Sequence, residues 1–446
     1  MKRVKLIASL ILVAGAISMI SAQQTEIQYY RSNNKDGLNV FEPSKTETTT
    51  FEGMKVRVGG SFTQQFQGLK HGNTADPMDI TYNGKTVNGN ELYNLGSGFN
   101  LATANLNLDF QLDDGIRVAL ENYMSSRHHS EFWVKGGYIQ IDKLPMFNNP
   151  EWFTKYVRVK IGHFQPNYGD QGLRRSDNGN AILNPFVGNY ILDAFTTEIG
   201  GEVYLFPTND LMLMVGASNG LIGGSVDAST PSRKPSIYFK AAYDKQISED
   251  FRFRLSGSVY TNGGAGRNTL YAGDRTGSRF YFAMEPVYTL DRATGVYVKT
   301  TADNRATSGR ISPDFTYEVM AVQVSPFVKY KGLEVFATYE TAKGTRAASE
   351  TDKRKFGQWA VEGVYRFFPN EQAFIGARYN DASGRLAGFS EDVSINRMEV
   401  SAGWFPTRNL LLKAAYVNQN YVDFPSSDYR AEGYFKGVMI EAVVGL

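Results

Sequence analysis

Two basic pairs at i, i+2 spacing, Arg158 with Lys160 and Arg252 with Arg254, and one adjacent pair, Arg174-Arg175, stand out as chemically capable groups in this 446-residue sequence. Residues two apart on an extended chain project from the same face, so each spaced pair presents two cations side by side. Such groups attract anions, and a guanidinium pair can hold phosphate or carboxylate bidentately. Single basic residues at Arg57, Arg117, Lys240 and Arg378 extend the set. Other chemistry is poorly provided for. The four histidines, His71, His128, His129 and His163, show no spacing that converges three or four ligands on a metal. His163 with Asp170 is the one hint of a hydrolase, and an isolated structural histidine explains it more simply. Asn262-Gly263-Gly264-Ala265-Gly266 opens no helix and cannot cradle a phosphate in the P-loop manner. With no cysteine, disulfides, thiolate metal sites and cysteine nucleophiles are excluded together. Neither an enzyme nor a bound cofactor is expected.

Positioning these cations requires strands. From Lys55 to Gln67, Val56, Val58, Phe62 and Phe66 alternate with Lys55, Arg57, Thr63 and Gln65. Ala104, Leu106, Leu108, Phe110 and Leu112 alternate with Asn105, Asn107, Asp109 and Gln111, and Asp113-Asp114-Gly115 then supplies a hairpin turn. The same period of two runs to the final Val438–Leu446 segment. Eighteen candidate strands emerge, and merging or missing one hairpin would give sixteen or twenty. Their connections alternate between tight (Asp113–Gly115, Pro207–Asn209, Lys331-Gly332, Pro369-Asn370) and long (Gly68–Gly98, Pro166–Asp193, Asn420–Glu432). A soluble sandwich also alternates apolar and polar residues, but has no reason for that loop rhythm. A transmembrane antiparallel up-and-down β-barrel, with short periplasmic turns and long extracellular loops, requires it.

The ends fit this reading. Lys2, Arg3 and Lys5 precede an apolar run from Leu6 to Ile20, and Ser21-Ala22 offers a cleavage site. Residues 1–22 are therefore expected to be a signal peptide, since the run is short for a spanning helix. Residues 23–54 form a polar periplasmic segment and residues 55–446 the barrel. The full chain has 47 Lys plus Arg against 45 Asp plus Glu; removing the leader leaves 44 against 45. That balance gives no basic stripe for nucleic acid. Because Arg or Lys facing lipid at the midplane costs ~2–4 kcal/mol, the polar faces must turn inward. Arg57, Arg117, Arg158, Lys160, Lys240, Arg252, Arg254 and Arg378 are then pore-lining candidates, with outer-membrane lipid on the other side of the wall. Opposed carboxylates could equally pair with them and simply hold the interior together.

Val157-Arg158-Val159-Lys160-Ile161-Gly162-His163-Phe164-Gln165-Pro166-Asn167-Tyr168-Gly169 resembles the phosphate-selective porin O/P family, in which a basic strand enters a Gly-x-Phe-Lys-x-Pro-Phe-like turn and a long third loop. Weaker likeness of pattern runs over most of residues 55–446. Gln165 stands where lysine is common, and the chain ends Val444-Gly445-Leu446 without the usual aromatic. The resemblance implies a homotrimer, passive flow of small anionic solutes such as phosphate, or of polar ones, and a third loop folded inward with Arg174 and Arg175 at the constriction. A barrel serving as a structural or assembly partner, its lumen closed by the N-terminal segment or by loops, is the alternative.

Overall fold

The computed structural model describes residues 24–47, 49–124, 133–176, 180–219, 233–271, 278–291, 293–301 and 308–446. His128, His129 and Asp177 lie outside them. Sixteen antiparallel strands close into one barrel. The strands are β1 (Lys55–Gly72), β4 (Gly98–Asp113), β5 (Ile116–Met124), β6 (Trp133–Ile141), β7 (Val157–Phe164), β8 (Glu198–Thr208), β9 (Leu211–Ser218), β10 (Ser236–Gln246), β11 (Phe251–Asn262), β14 (Glu318–Tyr330), β15 (Leu333–Thr345), β16 (Arg354–Phe367), β17 (Ala373–Gly384), β18 (Val393–Thr407), β19 (Leu410–Val422) and β20 (Tyr434–Gly445). Two hairpins stand apart from the barrel: β2 (Asp79–Tyr82) with β3 (Lys85–Asn88), and β12 (Tyr288–Asp291) with β13 (Val296–Lys299). The second falls where sequence periodicity places two further barrel strands, at 279–290 and 294–303, so the barrel count is sixteen and not eighteen. Phe280 and Ala283 of that stretch are buried in the apolar cluster inside the barrel, and Lys299 is exposed at the end of a four-residue strand.

Closure joins the two ends of the chain. β1 pairs with β20 from Ser61↔Gly445 to Gly72↔Tyr434, which leaves no bare sheet edge for lipid to meet. Alternation sorts the side chains as expected. Val56, Val58, Ile375, Val400, Val438 and Ile440 are exposed on the outer face, while Arg57, Gln65, Arg378 and Glu399 are buried inside. A belt of this extent could not face water, since a soluble monomer rarely exposes more than a few hundred Å² of contiguous apolar surface. Tyr330, Trp404 and Tyr434 occupy outward positions near strand ends, as an interface girdle would. Phe405 does not belong to that girdle: the register shifts between Trp404 and Thr407, and Phe405 turns inward against Phe374. Short and long connections alternate around the barrel. The connection from β6 to β7 sits on the short-turn rim but carries a small helix, α1 (Glu151–Tyr156). Among the described residues no helix is long and apolar enough to cross a membrane.

Candidate functional site: the occupied lumen

The described parts of the loop from β7 to β8, residues 165–176 and 180–197, fold into the barrel and reach the far wall. β17 lies eight places from β7 around the ring of sixteen, yet Asn380 on β17 accepts a 2.8 Å hydrogen bond from the Ile191 amide. Buried backbone must find partners, and the wall provides them. Lys413 Nζ donates to the Ala181, Asn184 and Phe186 carbonyls at 3.0, 2.9 and 2.8 Å. Arg378 donates to the Gly188 carbonyl and Arg397 to that of Asn189, each at 2.5 Å. Gly188 is pressed so closely that a Cβ there would meet Arg397 Nη1 at 2.7 Å and Glu399 Oε1 at 2.8 Å. Phe186, Val187, Ile191 and Leu192 are fully buried.

A second body fills the short-turn mouth. The N-terminal segment touches the turns in succession: Gln28 with Gly115 and Asp114, Lys45 with Asp142, and the Lys35 amide with the Arg408 carbonyl at 2.9 Å. It also reaches inward. Arg31 donates to the Leu173 carbonyl at 2.8 Å, and Asn39 bridges Glu334 at 2.6 Å and Arg174 at 2.6 Å.

The ten candidate cations fall into two groups. The larger group is neutralised at close range. Lys240 and Arg254 form a buried cluster with Glu42 and Asp170: Lys240 lies 2.7 Å from Glu42 and 2.8 Å from Asp170, and Arg254 lies 2.7 and 2.8 Å from the same two carboxylates. Burial raises both carboxyls, but the two cations overcome it and hold Glu42 and Asp170 well below the usual range. Arg174 pairs with Glu362 at 2.7 Å, Arg175 with Asp193 at 2.5 Å, Arg252 with Asp244 at 2.6 Å, and Arg378 with Glu399. Arg252 and Arg254 are therefore not an unrelieved basic pair; Asp244, two residues short of the turn, serves both.

The second group surrounds a cavity of about 210 Å³ between the β4–β8 wall, the start of the inward loop and the N-terminal segment. Arg117, Arg158 and Lys160 line it. Arg117 pairs with Asp109 at 2.6 Å and lies between the rings of Tyr30 and Tyr138, 5.7 Å from each. Lys160 is held loosely, 3.9 Å from Glu202, over the rings of Tyr138 and Phe164. Arg158, like Arg117, has a close carboxylate, Asp142 at 2.8 Å, and it is also tied to the Pro43 carbonyl. Arg57 stands behind the cavity, 4.8 Å over the Tyr30 ring. Sequence reasoning missed Arg31, a further lining residue. Burial lowers its pKa to about 10, with Glu42 opposing, so it stays cationic. The buried Nε atoms of Arg31 and Arg117 have no hydrogen-bond partner in the protein. The lining thus holds four cations (Arg31, Arg117, Arg158, Lys160) against three carboxylates, Glu42, Asp109 and Glu121. Parity could not have found Arg31, because Tyr29-Tyr30-Arg31 belongs to no alternating segment. Among the described residues no group of His, Asp and Glu is arranged to hold a metal.

No protein-family model matches the chain, and no curated protein matches it in sequence. Solved structures do match in shape. The anion-selective porin from Comamonas acidovorans superposes with a TM-score of 0.52 at 11% identity, covering 88% of this chain and all of that one. The outer-membrane channel DcaP of Acinetobacter baumannii gives 0.51 at 13% identity, covering 90% of this chain and 99% of that one. The trimer form of OmpT, an outer-membrane protein of Vibrio cholerae, gives 0.51 at 8% identity, covering 89% of this chain and all of that one. Identities this low speak for the fold alone: the chain has a porin-like, closed sixteen-strand barrel with an occupied lumen.

Proposed function

We propose that the protein is an outer-membrane porin of a Gram-negative bacterium that passes small anionic or polar solutes passively, exported by a cleaved signal peptide at residues 1–22. The carrying observation is the cavity beside β4–β8, which the inward loop and the N-terminal segment leave open, with one more cation than carboxylate in its lining and two unpartnered guanidinium donors. Such groups form weak, releasable sites, which conduction needs. Arg31, Arg117 and Lys160 are the residues to which the anion preference is assigned, with Arg57 and Arg158 holding the lining in place. Phosphate as a solute and a homotrimer as the working assembly follow from the sequence resemblance to the phosphate-selective porin O/P family. Reconstitution of the purified protein in planar bilayers tests this. Discrete conductance steps with an anion-preferring reversal potential in a salt gradient are expected, and absence of ion flux would sink the proposal. Flux with cation preference would remove the anion assignment and keep the channel.

A second reading has its own observation. The N-terminal segment lies across the short-turn mouth and the β7–β8 loop spans the lumen, an arrangement also suited to a closed barrel acting as a scaffold in a surface assembly. A chain that conducts only after removal of residues 24–50 would favour it.

A further inference from the structure

On the outer face, near the long-loop rim, three basic residues stand abreast. Lys343 on β15 is the direct cross-strand partner of Lys355 on β16, and the Arg385 amide at the end of β17 donates to the Lys355 carbonyl at 2.9 Å. All three side chains are exposed. Like charges placed directly opposite one another, with Cβ atoms about 5 Å apart, destabilise a sheet, so the row calls for a counter-charge. The nearby carboxylates do not supply enough. Glu318 is engaged by Lys353, Asp392 lies 3.2 Å from Arg385, and Asp381 sits four residues down β17 from Arg385 on the same face. Among the described residues neither Lys343 nor Lys355 has an ion-pair partner.

Height on the barrel identifies what meets the row. Tyr339 and Trp359 are cross-strand partners on the outer face, and Trp359 contacts Tyr379 with ring centroids 5.3 Å apart. All three rings are exposed, as side chains of an interface girdle are. Lys343 lies four residues after Tyr339 and Lys355 four residues before Trp359 on the antiparallel neighbour, so both stand about 13 Å further toward the long-loop rim. With strands tilted ~35–45°, that is roughly 10 Å beyond the aromatic girdle, within the polar headgroup layer.

We propose that Lys343, Lys355 and Arg385 form an exterior binding site for the phosphate groups of a phosphorylated glycolipid in the outer leaflet, the acyl chains lying against Tyr339, Trp359 and Tyr379. The same geometry recurs at the barrel seam, where exposed Lys70 on β1 faces exposed Lys436 on β20. The proposal rests on the membrane-spanning, outward-loop orientation given above, not on the solute that the channel passes.

Native mass spectrometry of the full-length mature protein in zwitterionic micelles, titrated with bisphosphorylated lipid A, tests it. The Lys343→Gln, Lys355→Gln, Arg385→Gln triple variant is expected to bind on the order of tenfold or more weakly. Dephosphorylated lipid A should bind wild type as weakly, and the Lys343→Arg, Lys355→Arg variant should bind normally. Unchanged binding by the triple variant overturns the proposal, as does displacement of lipid A by millimolar inorganic phosphate, which would mark a site for the free ion. Heat-modifiable migration confirms that each variant is folded. Single-channel conductance, read on the same variants, should be unchanged, so failure of the channel reading is distinguished from failure of this one.

Discussion

The lumen beside β14–β20 and the lumen beside β4–β8 are made of the same residue types and arranged to opposite ends. In the first, Arg378, Arg397 and Lys413 are spent on loop carbonyls and wall carboxylates, and Phe186, Val364, Phe374 and Leu411 pack into an apolar cluster behind them. In the second, Arg117 and Lys160 lie over tyrosine and phenylalanine rings beside open space. Burying a charge is tolerable when it is paired and hydrogen-bonded, so the first half reads as bracing for the inward loop. In the second half ring faces take part of the partner role, and those groups remain available to a passing ion. Basic residues on a pore wall are thus of two kinds, and their partners separate them.

The sharpest way to break that comparison is to remove a brace. Arg378→Ala leaves Glu399 buried without its close cation, leaves Glu362 with Arg174 alone, and removes the shorter of two hydrogen bonds to the Gly188 carbonyl. The expected loss is ~3–5 kcal/mol, seen as a lower urea midpoint for the folded barrel and as protease cleavage within residues 180–195. A variant as stable as wild type would show that this half is not bracing. Acid should act next most strongly. Glu42 titrates from the ordinary 4.5 down to about 2 in the folded protein. A depressed carboxyl contributes stability that is complete above the unfolded pKa and is lost as pH falls through the folded one. Docking of the N-terminal segment should therefore weaken from pH ~4.5 toward ~2, by on the order of 3 kcal/mol. Conductance rising through that window, and a Glu42→Gln variant already raised at neutral pH, are the expected readings. Identical pH profiles for the two proteins would exclude Glu42 as the latch. Smaller again is the Arg174→Ala, Arg175→Ala pair. Glu362 keeps Arg378 at 3.6 Å and Asp193 keeps Arg310 at 3.1 Å, so ~1–3 kcal/mol is expected, with noisier conductance and little change of selectivity. A large change of selectivity would instead place these arginines at the constriction.

The wall was legible because lipid imposes a strict rule on every second residue. Strand parity, the rhythm of turns and the inward-facing cations could all be read from it. The hairpin at β12–β13 was not, since a short solvent-facing hairpin alternates as well as a spanning one, and only pairing distinguishes them. Nor could parity tell that Arg254 meets Asp170 and Glu42, which lie 84 and 212 residues away in sequence. Charge pairing inside a barrel depends on register and on loops that fold inward, and neither leaves a periodic trace. Arg31 was hidden for the same reason: its position is set by contacts to Leu173 and Gly37, not by a strand.

The smallest expected effect is the most discriminating. Among the described residues Lys160 has no carboxylate nearer than Glu202 at 3.9 Å, and its side chain is 16% exposed. Replacing it with glutamine keeps the length and polarity of the group while removing its charge. Glu202 keeps hydrogen bonds from the Tyr204 hydroxyl at 2.6 Å and the Asn167 amide at 2.8 Å, so it is not left bare and the urea midpoint should move little, by about 1 kcal/mol. The lining, however, passes from four cations against three carboxylates to an even balance. Reversal potential in a salt gradient should therefore shift toward cation preference, more at low ionic strength than at high, because the Debye length shortens from about 30 Å at 0.01 M to about 3 Å at 1 M. A stability loss comparable to that of Arg378→Ala, or a reversal potential unmoved at low salt, would erase the distinction between the two halves of the lumen. The two readouts are independent, so a change in one without the other assigns Lys160 to the passage or to the wall.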